Sequence, residues 1–460
     1  MEGFLPTVDK SKLMGALEVY AQESNQTIDS EIRETKRCTV IDGMAVVQEM
    51  GKPNWVRTCD DLAKHFCTQI KQRSSGYDEI HVVFDRYDLD VSLKASTRAR
   101  RLGGSTPICY SITDNTPLSK VPLKKLLSHT NTKDQLTSYF SEKILDTYKE
   151  SHQTVIVAYK QITISNKVNI DTLHLHSSHE EADTKLMLHA KHAAETGATS
   201  LDIQSPDTDV LVLAIRRYPE LPTSTNFITG SSGARRTISL QRLYTKLGAR
   251  NAASLPGFHA FTGTDQTGRF SGKSKTTCFK TFISSSDDIK DAFCTIGKTI
   301  LPTEDTHAKL EEFVCQLYAS GTLLKDVASL RWRLFCRNQA EGEKLPPTKG
   351  ALHQATLRAH YQAMIWEADT VPMPNLPDPT DYGWTVNEDV FCAVSTLNPP
   401  TPKAVVELIR CECLRSKCET RCSCKQNNMY CSEMCVCASN IDNCKNTIEN
   451  ASLDWLSDDL

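Results

Sequence analysis

Short apolar segments alternate with amphipathic helical segments from Cys38 onward, and this alternation constrains the fold more than any other feature of the chain. A strand, a helix and a second strand fold most readily as parallel strands covered by the helix. The predicted strands are Thr39–Ile41, Ile80–Phe84, Thr154–Tyr159 and Leu201–Gln204, and the predicted helices are Asp60–Gln72, Gln135–Lys149 and Glu180–Glu195. The sequence therefore predicts an α/β fold with a mostly parallel sheet and flanking helices.

The regions around this alternation predict further domains. Residues 1–36 are expected to be a polar helical N-terminal extension in which nothing suggests chemistry. The α/β domain spans 37–285, and a helical subdomain spans 286–370, with helices near Ser286–Gly297, Ala308–Ser320, Leu323–Arg337 and Gly350–Glu367. Clustered prolines predict an extended linker at 371–406, followed by a cysteine-rich module at 407–446 and an acidic tail at 447–460. Within the helical subdomain, Trp332 and Phe335 are expected in the core.

The overall composition excludes several classes of protein. The chain has 53 basic and 56 acidic side chains, so it is not a uniformly cationic nucleic-acid binder. Its longest apolar runs are far shorter than the roughly 18 residues that a membrane span needs, and no membrane partner is predicted. The first ten residues lack the apolar core of a signal peptide, which indicates a compartment that keeps thiols reduced.

Half of the 18 cysteines are concentrated near the C-terminus. They are Cys411, Cys413, Cys418, Cys422, Cys424, Cys431, Cys435, Cys437 and Cys444. An odd number of thiols leaves one unpaired in a disulfide framework, whereas repeated Cys-x-Cys pairs suit a soft-ligand metal site. Nine thiolates hold about three tetrahedral zinc ions if three of the sulfurs each bridge two ions. The predicted cofactor of this module is therefore zinc.

This spacing resembles the tesmin-like CXC domain, a zinc-cluster module that binds DNA and often carries an aromatic residue where Tyr430 stands. The resemblance implies DNA contact by residues 407–446. The stretch from Arg410 to Lys445 carries six basic and four acidic side chains, which is not a strongly cationic patch. A metal-stapled module that binds another protein is therefore the alternative.

Acidic residues follow the predicted strands at the points where they end. Asp42 follows the first strand, Asp85 the second, and Asp207 and Asp209 come soon after Leu201–Gln204. The carboxyl ends of neighbouring parallel strands line one crevice, so these side chains are expected to meet. Three further acids join the predicted set: Glu181 and Asp183 open a helix, and Asp265 lies in a Gly-Thr-Asp triplet.

Such a set of carboxylates indicates a metal site. Two carboxylates about 4 Å apart repel each other by about 4 kcal/mol at an effective dielectric constant of 20, so the cluster needs cations between its members. Hard oxygen ligands select Mg²⁺ or Mn²⁺, and two such ions can activate a water and stabilise a leaving oxygen. The sequence predicts two ions.

Simpler roles exist for some of these residues. Ser178 and Glu181 have the spacing of a capping box, and Asp207 after Ser205-Pro206 has the position of a turn or cap residue. A group of histidines lies nearby without the spacing of a zinc site, and these side chains are expected to be hydrogen-bonded or exposed: His174, His176, His179, His189 and His192.

The order of the acidic motifs resembles the flap endonuclease/XPG branch of the PIN-like nucleases over Cys38 to Lys280. The motifs are Ile41-Asp42-Gly43-Met44, Val83-Phe84-Asp85, Glu181-Ala182-Asp183, Ser205-Pro206-Asp207-Thr208-Asp209 and Gly263-Thr264-Asp265. The resemblance implies a PIN-like fold and a nuclease activity in which the seven acids bind the metal ions. It also implies that the basic insertion Ser92–Thr130 is the arch that clamps a strand. Lys94, Arg98, Arg100 and Arg101 would then face the scissile phosphate.

A second basic stretch lies between Gly233 and Lys280, with nine basic residues against Asp265 alone. It suits a surface that binds the phosphate backbone. Arg269, Lys273 and Lys275 stand where the family grips duplex DNA and are predicted nucleic-acid contacts.

The leading hypothesis is a nuclear, metal-dependent phosphodiesterase that acts on DNA or RNA and is delivered by the zinc cluster. The alternative is a catalytically silent, transposon-derived regulator that binds nucleic acid. The combination of both regions also resembles mobile-element-associated animal proteins.

Overall fold

The computed structural model describes residues 5, 8–22, 36–89, 92–94, 106–231, 233–338, 345–388, 390–397, 410–413, 417–426, 430–431, 435–437 and 444–447. The chain forms two compact units, Met1–Ser395 and Thr396–Leu460. The first unit unites the N-terminal extension, the α/β domain and the helical region.

A seven-stranded sheet forms the centre of the first unit. Its strands are β1 (Arg37–Asp42), β2 (Glu79–Val83), β3 (Thr154–Tyr159), β4 (Ile162–Ser165), β5 (Ser200–Gln204), β6 (Ser224–Thr229) and β7 (Arg236–Ser239). Their order is β4-β3-β2-β1-β5-β6-β7; the five inner strands are parallel and the two edge strands antiparallel. The predicted α/β fold with a mainly parallel sheet and flanking helices is confirmed.

Helices cover both faces of this sheet. They are α1 (Ser11–Gln22), α2 (Gly43–Met50), α3 (Cys59–Arg73), α4 (Leu123–Leu126), α5 (Thr130–Thr147), α6 (Ala182–Glu195), α7 (Thr208–Arg217), α8 (Leu240–Phe261), α9 (Lys275–Ser284), α10 (Asp287–Thr295), α11 (Glu304–Tyr318), α12 (Val327–Asn338) and α13 (Lys349–Glu367). The second unit contains α14 (Ser423–Gln426). Among the described helices, none has the length and apolar content of a membrane span.

The sheet separates two apolar cores, because successive side chains of a strand point to opposite faces. Val40 and Leu201 belong to the core that contains side chains of α6, α7 and α8. Ile41 and Val82 belong to the second core, with side chains of α3 and α5. The strands therefore have little polar surface, as expected for a parallel sheet covered on both faces.

The helices after the sheet extend the first core. Phe258 of α8 stacks on Phe282, with 4.6 Å between ring centroids, and meets Phe293 edge-on at 5.8 Å. The observed α10 to α13 confirm the four helices predicted between 286 and 367. Of these helices, α10 contacts α8 directly through Phe293, and buried side chains of all four belong to the first core.

Gly257 lies where α8 meets α10, and a Cβ atom built there would come 2.1 Å from the backbone oxygen of Phe293. We expect Gly257→Ala to lower the free energy of unfolding by about 1–3 kcal/mol, because one helix must shift. Gly15, inside α1, is the control: its added Cβ meets nothing within 4 Å, so Gly15→Ala should raise stability by up to about 1 kcal/mol. Chemical denaturation of both variants measures the difference, and equal stabilities would contradict the packing argument.

Part of the predicted linker 371–406 is ordered. A 3₁₀ turn at Pro379–Tyr382 precedes the hairpin of β8 (Trp384–Asn387) and β9 (Val390–Ala393). Tyr382 is buried and donates a hydrogen bond to the backbone oxygen of Ile300 at 2.6 Å. An extended linker is therefore wrong for this part, because its aromatic residues pack on the helical region; residues 398–406 lie outside the described part of the chain.

The later part of the basic insertion packs on the second core, where Leu118 and Leu126 are fully buried. One other expectation is corrected. Trp332 and Phe335 are 68% and 50% exposed and lie outside the core, because α12 buries Leu330 on its other face.

Candidate metal centre

Three predicted acids lie at the carboxyl edge of the sheet. Asp42 is the last residue of β1, Asp85 follows β2, and Asp207 follows β5. These strands are adjacent and parallel in the order β2-β1-β5, so their ends meet at one edge.

Two of these acids also cap helices, which accounts for short acidic side chains at these positions. Asp42 Oδ1 accepts a hydrogen bond from Ala45 N at 2.9 Å, and Asp207 Oδ1 accepts one from Asp209 N at 2.9 Å. Glu181 precedes α6 at its cap position, but its side chain makes no capping hydrogen bond. Asp207 therefore caps a helix in addition to facing the other acids, whereas capping does not explain the presence of Glu181.

Asp183, Asp207 and Asp209 form the centre of the site, and we call these three residues the acidic cluster. Each offers a carboxylate oxygen, and these oxygens all lie within 4.8 Å of one another. Asp183 Oδ2 is buried and accepts no hydrogen bond from the described residues. Buried hard oxygen ligands with an unused acceptor fit a divalent cation.

The other four predicted acids surround the acidic cluster. Asp85 Oδ1 accepts a hydrogen bond from Ala182 N at 2.7 Å, next to Asp183 at the start of α6. Glu181 accepts from Gln266 Nε2 at 2.7 Å. Asp42 accepts from Ser205 Oγ at 3.3 Å, and Asp265 lies 3.4 Å from a lysine described below. The structure therefore brings the seven predicted carboxylates to one region, with three of them at metal-binding separation.

The electrostatics of this region favour a bound cation. Burial raises the pKa of Asp183 well above its usual value, and the charge of Asp207 raises it further. Burial and the charge of Asp85 raise the pKa of Asp42 to about 7. Burial also raises the pKa of Asp207, with Asp209 as the next cause. Since ionised Asp42, Asp183 and Asp207 are costly here, a divalent cation would stabilise their charged forms. Burial opposes the charge of Asp209 as well, but Lys10 and the hydrogen bond from His259 lower the pKa of this carboxyl.

Two lysines supply positive charge to the site. Lys94, a predicted contact, lies 2.5 Å from Glu181 Oε2. Lys10 lies 2.8 Å from Asp207 Oδ1 and 2.9 Å from Asp209 Oδ2, and it was missed at the sequence level. The N-terminal extension therefore contributes Lys10 to the site. This corrects the expectation that nothing in residues 1–36 suggests chemistry. No local pattern identifies Lys10, because it reaches the cluster through the tertiary packing of α1.

His259 and Lys275 form a buried chain behind Asp209. His259 Nε2 donates to Asp209 Oδ1 at 2.8 Å, and Lys275 Nζ donates to His259 Nδ1 at 2.8 Å. The Trp366 ring is nearly parallel to that of His259, at 5.7 Å between centroids. Burial lowers the pKa of His259 to about 4 and that of Lys275 to about 7. This chain fixes the orientation of Asp209.

The predicted nucleic-acid contacts have different environments. Lys275 is 1% exposed, so its prediction as a nucleic-acid contact is wrong; its amine satisfies buried acceptors instead. Arg269 is exposed, and the amine of Lys273 lies over the Tyr318 ring at 4.7 Å from its centroid. Arg98, Arg100 and Arg101 lie outside the described residues.

The nine predicted zinc ligands converge in the second unit, and we call them the cysteine cluster. Their sulfurs form four overlapping groups of four within 4.8 Å: Cys411, Cys413, Cys418 and Cys422; Cys411, Cys422, Cys424 and Cys431; Cys411, Cys431, Cys435 and Cys437; and Cys418, Cys431, Cys437 and Cys444. Eight of the nine side chains are buried, and Cys413 is half-buried. The cluster can hold zinc, and its overlapping groups suit bridging thiolates.

The histidines near α6 pair with one another. His81 Nε2 donates to Glu79 at 3.0 Å, and His81 Nδ1 lies 2.8 Å from His189 Nδ1. His174 Nε2 and His192 Nδ1 are 2.9 Å apart. Among the described residues, no three of these histidines offer nitrogens close enough for one metal ion.

Comparison with known proteins gives remote matches. No protein-family model and no curated protein matches the sequence. A bacteriophage T5 flap endonuclease structure with DNA and metal ions matches at 12% identity and a TM-score of 0.34, covering 58% of this chain and 81% of that chain. The same T5 protein co-crystallised with metal ions, and the T5 5′-exonuclease with zinc, match at 12% identity, with TM-scores of 0.35 and 0.34. Each of these two matches covers 73% of this chain and 97% of the T5 chain.

Proposed function

We propose that this chain is a metal-dependent nuclease of PIN-like fold that hydrolyses phosphodiester bonds of DNA or RNA. The observation that carries the proposal is the acidic cluster, two buried carboxylates and one half-buried carboxylate with oxygens within 4.8 Å at the carboxyl edge of a parallel sheet. The test is cleavage of branched and single-stranded oligonucleotides, as DNA and as RNA, by the full chain in Mg²⁺, in Mn²⁺ and in chelator. Cleavage that requires Mg²⁺ or Mn²⁺ supports the proposal. If none of these substrates is cleaved, the proposal is overturned.

Asp183, Asp207 and Asp209 would hold the cations, with Asp42, Asp85, Glu181 and Asp265 around them. When bound, two Mg²⁺ or Mn²⁺ ions supply the charge that activates a water nucleophile and stabilises the leaving oxygen. His259 holds Asp209 in one orientation through its 2.8 Å hydrogen bond. A ligand that is fixed in advance loses less entropy when it binds.

Lys94 would contact the substrate phosphate in this proposal. Burial opposes its charge, but Glu181 and Asp183 raise the pKa of its ammonium well above the usual value, so it stays protonated. A fixed cation beside the carboxylates can attract the phosphate and stabilise charge on its oxygens during cleavage.

We expect Lys94→Ala to lower kcat by about 10²-fold, the usual loss when one stabilising donor is removed. Lys149→Ala is the control, because Lys149 is an exposed lysine outside the basic insertion. Steady-state cleavage kinetics measure the effect, and thermal unfolding checks that Glu181 is tolerated without its partner. Equal kcat values for both variants would remove Lys94 from the site.

The catalytically silent, transposon-derived regulator is the second candidate. It is favoured by Lys10, which places an ammonium against Asp207 and Asp209 and so neutralises part of the cluster without a metal. A full chain that binds nucleic acid but neither binds Mn²⁺ nor cleaves would select this candidate.

We further propose that the cysteine cluster binds about three zinc ions, contacts DNA and delivers the nuclease in the nucleus. This rests on exposed basic side chains around the cluster and on Tyr430, which is 51% exposed; the basic residues are Arg410, Lys417, Arg421 and Lys425. Such side chains can bind phosphates while the aromatic ring stacks on a base. We also propose that this protein, like the animal proteins that the combination of both regions resembles, is associated with mobile elements.

A further inference from the structure

Lys10 contacts the acidic cluster, and no feature of the sequence predicts this contact. Its ammonium lies 2.8 Å from Asp207 Oδ1, 2.9 Å from Asp209 Oδ2 and 3.4 Å from Asp265 Oδ2. Its side chain is 19% exposed, and these three acids raise its pKa well above the usual value against the opposing effect of burial. A permanent positive charge therefore lies against two of the three residues of the acidic cluster.

The segment that carries Lys10 is firmly attached. Leu13 and Leu17 of α1 are fully buried in the first core. Glu18 pairs with Arg236 at 2.7 Å, and Tyr20 meets the Phe279 ring edge-on at 5.8 Å. The helix thus holds the Lys10 backbone beside the cluster, and rotation about the bonds of the four-carbon side chain can move the ammonium away.

We propose that Lys10 is a tethered competitor of divalent cations, which sets the cation concentration at which the acidic cluster fills. The inference rests on the proposed metal site. The ammonium occupies the space beside the oxygens of Asp207 and Asp209 where a cation would bind, and the two positive charges repel each other at this distance. Filling the site therefore requires the Lys10 side chain to rotate away, while α1 remains packed.

This competition has a reciprocal consequence. By linkage, the ammonium weakens binding of the cation by the same factor by which the bound cation weakens the contact of the ammonium with the carboxylates. The Lys10 amine should thus be protected from acylation in the cation-free protein and become reactive when Mn²⁺ binds. Lys12, two residues further on and 56% exposed, should react equally in both states.

The primary experiment measures Mn²⁺ binding to the full chain by electron paramagnetic resonance of the free ion. Lys10→Gln removes the charge and should lower the Kd for Mn²⁺ by about 10-fold, within the usual range of coupling between two sites. Lys10→Arg retains the charge and should bind Mn²⁺ no more tightly than the natural protein. Lys12→Gln is the matched control on the same segment and should leave Kd unchanged.

Each outcome has a distinct meaning. Equal or weaker Mn²⁺ binding by Lys10→Gln, with a normal melting curve, overturns the competition while leaving the metal site intact. If Lys10→Gln is unfolded, the acylation of Lys10 in the natural protein decides: a rate unaffected by saturating Mn²⁺ overturns the inference. Absence of Mn²⁺ binding in the natural protein and in all three variants overturns both this inference and the proposed function.

Discussion

Asp183→Asn is expected to lower the rate of cleavage about 10³-fold, equivalent to the loss of about 4 kcal/mol of transition-state stabilisation. Its Oδ2 atom accepts no hydrogen bond from the described residues, so the substitution breaks no described contact of that oxygen. The amide also removes a buried charge that its neighbours oppose, so the melting temperature in chelator should be unchanged or raised.

The matched control for this variant is Asp88→Asn. Asp88 follows Asp85 by three residues, but it pairs with Arg86 on the surface, at 2.6 Å. Cleavage kinetics with saturating Mn²⁺ should distinguish the two variants by the full 10³-fold. Wild-type activity in Asp183→Asn would show that the acidic cluster is not the catalytic metal site.

The second large effect concerns the cysteine cluster. Cys411 belongs to three of the four sulfur groups, whereas Cys413 belongs to one and is only half-buried. We therefore expect Cys411→Ser to remove most of the bound zinc and Cys413→Ser to remove about one ion of three. Since metal binding supplies the folding free energy of such modules, Cys411→Ser should also unfold residues 407–446.

Elemental analysis of the full chain measures zinc, and limited proteolysis measures order in the second unit. Cys294→Ser is the control, because Cys294 is a partly exposed thiol of α10 outside the cysteine cluster. Equal zinc content in the two cluster variants would contradict the overlapping ligand groups.

The strands and the acids at their ends were predictable because both follow from local patterns. Apolar runs give the parallel strands, and the ends of parallel strands meet at one edge, which brings Asp42, Asp85 and Asp207 together. The cysteine spacing likewise predicted a compact cluster, since paired thiols close in sequence are close in space.

The errors arise where tertiary packing decides or where a local interruption hides a helix. Helix α8 was not predicted because Gly248, with φ of 76°, and Pro256 interrupt its pattern. Lys275 belongs to a basic stretch that is typical of a surface, yet its amine donates hydrogen bonds to His259 and Thr262 in the interior. Lys10 reaches the acidic cluster because α1, which follows it, packs into the first core. This packing cannot be read from any local sequence pattern.

The two antiparallel edge strands have a consequence for solubility. A sheet margin with unpaired backbone groups is a template for association with other chains, and short edge strands reduce this hazard. β4 and β7 have four residues each. At β4, the backbone oxygen of Thr163 accepts from Thr172 Oγ1 at 2.7 Å and from His176 Nε2 at 3.2 Å. This acceptor is thus already occupied within the chain, which leaves one backbone group fewer at this margin for pairing with another chain.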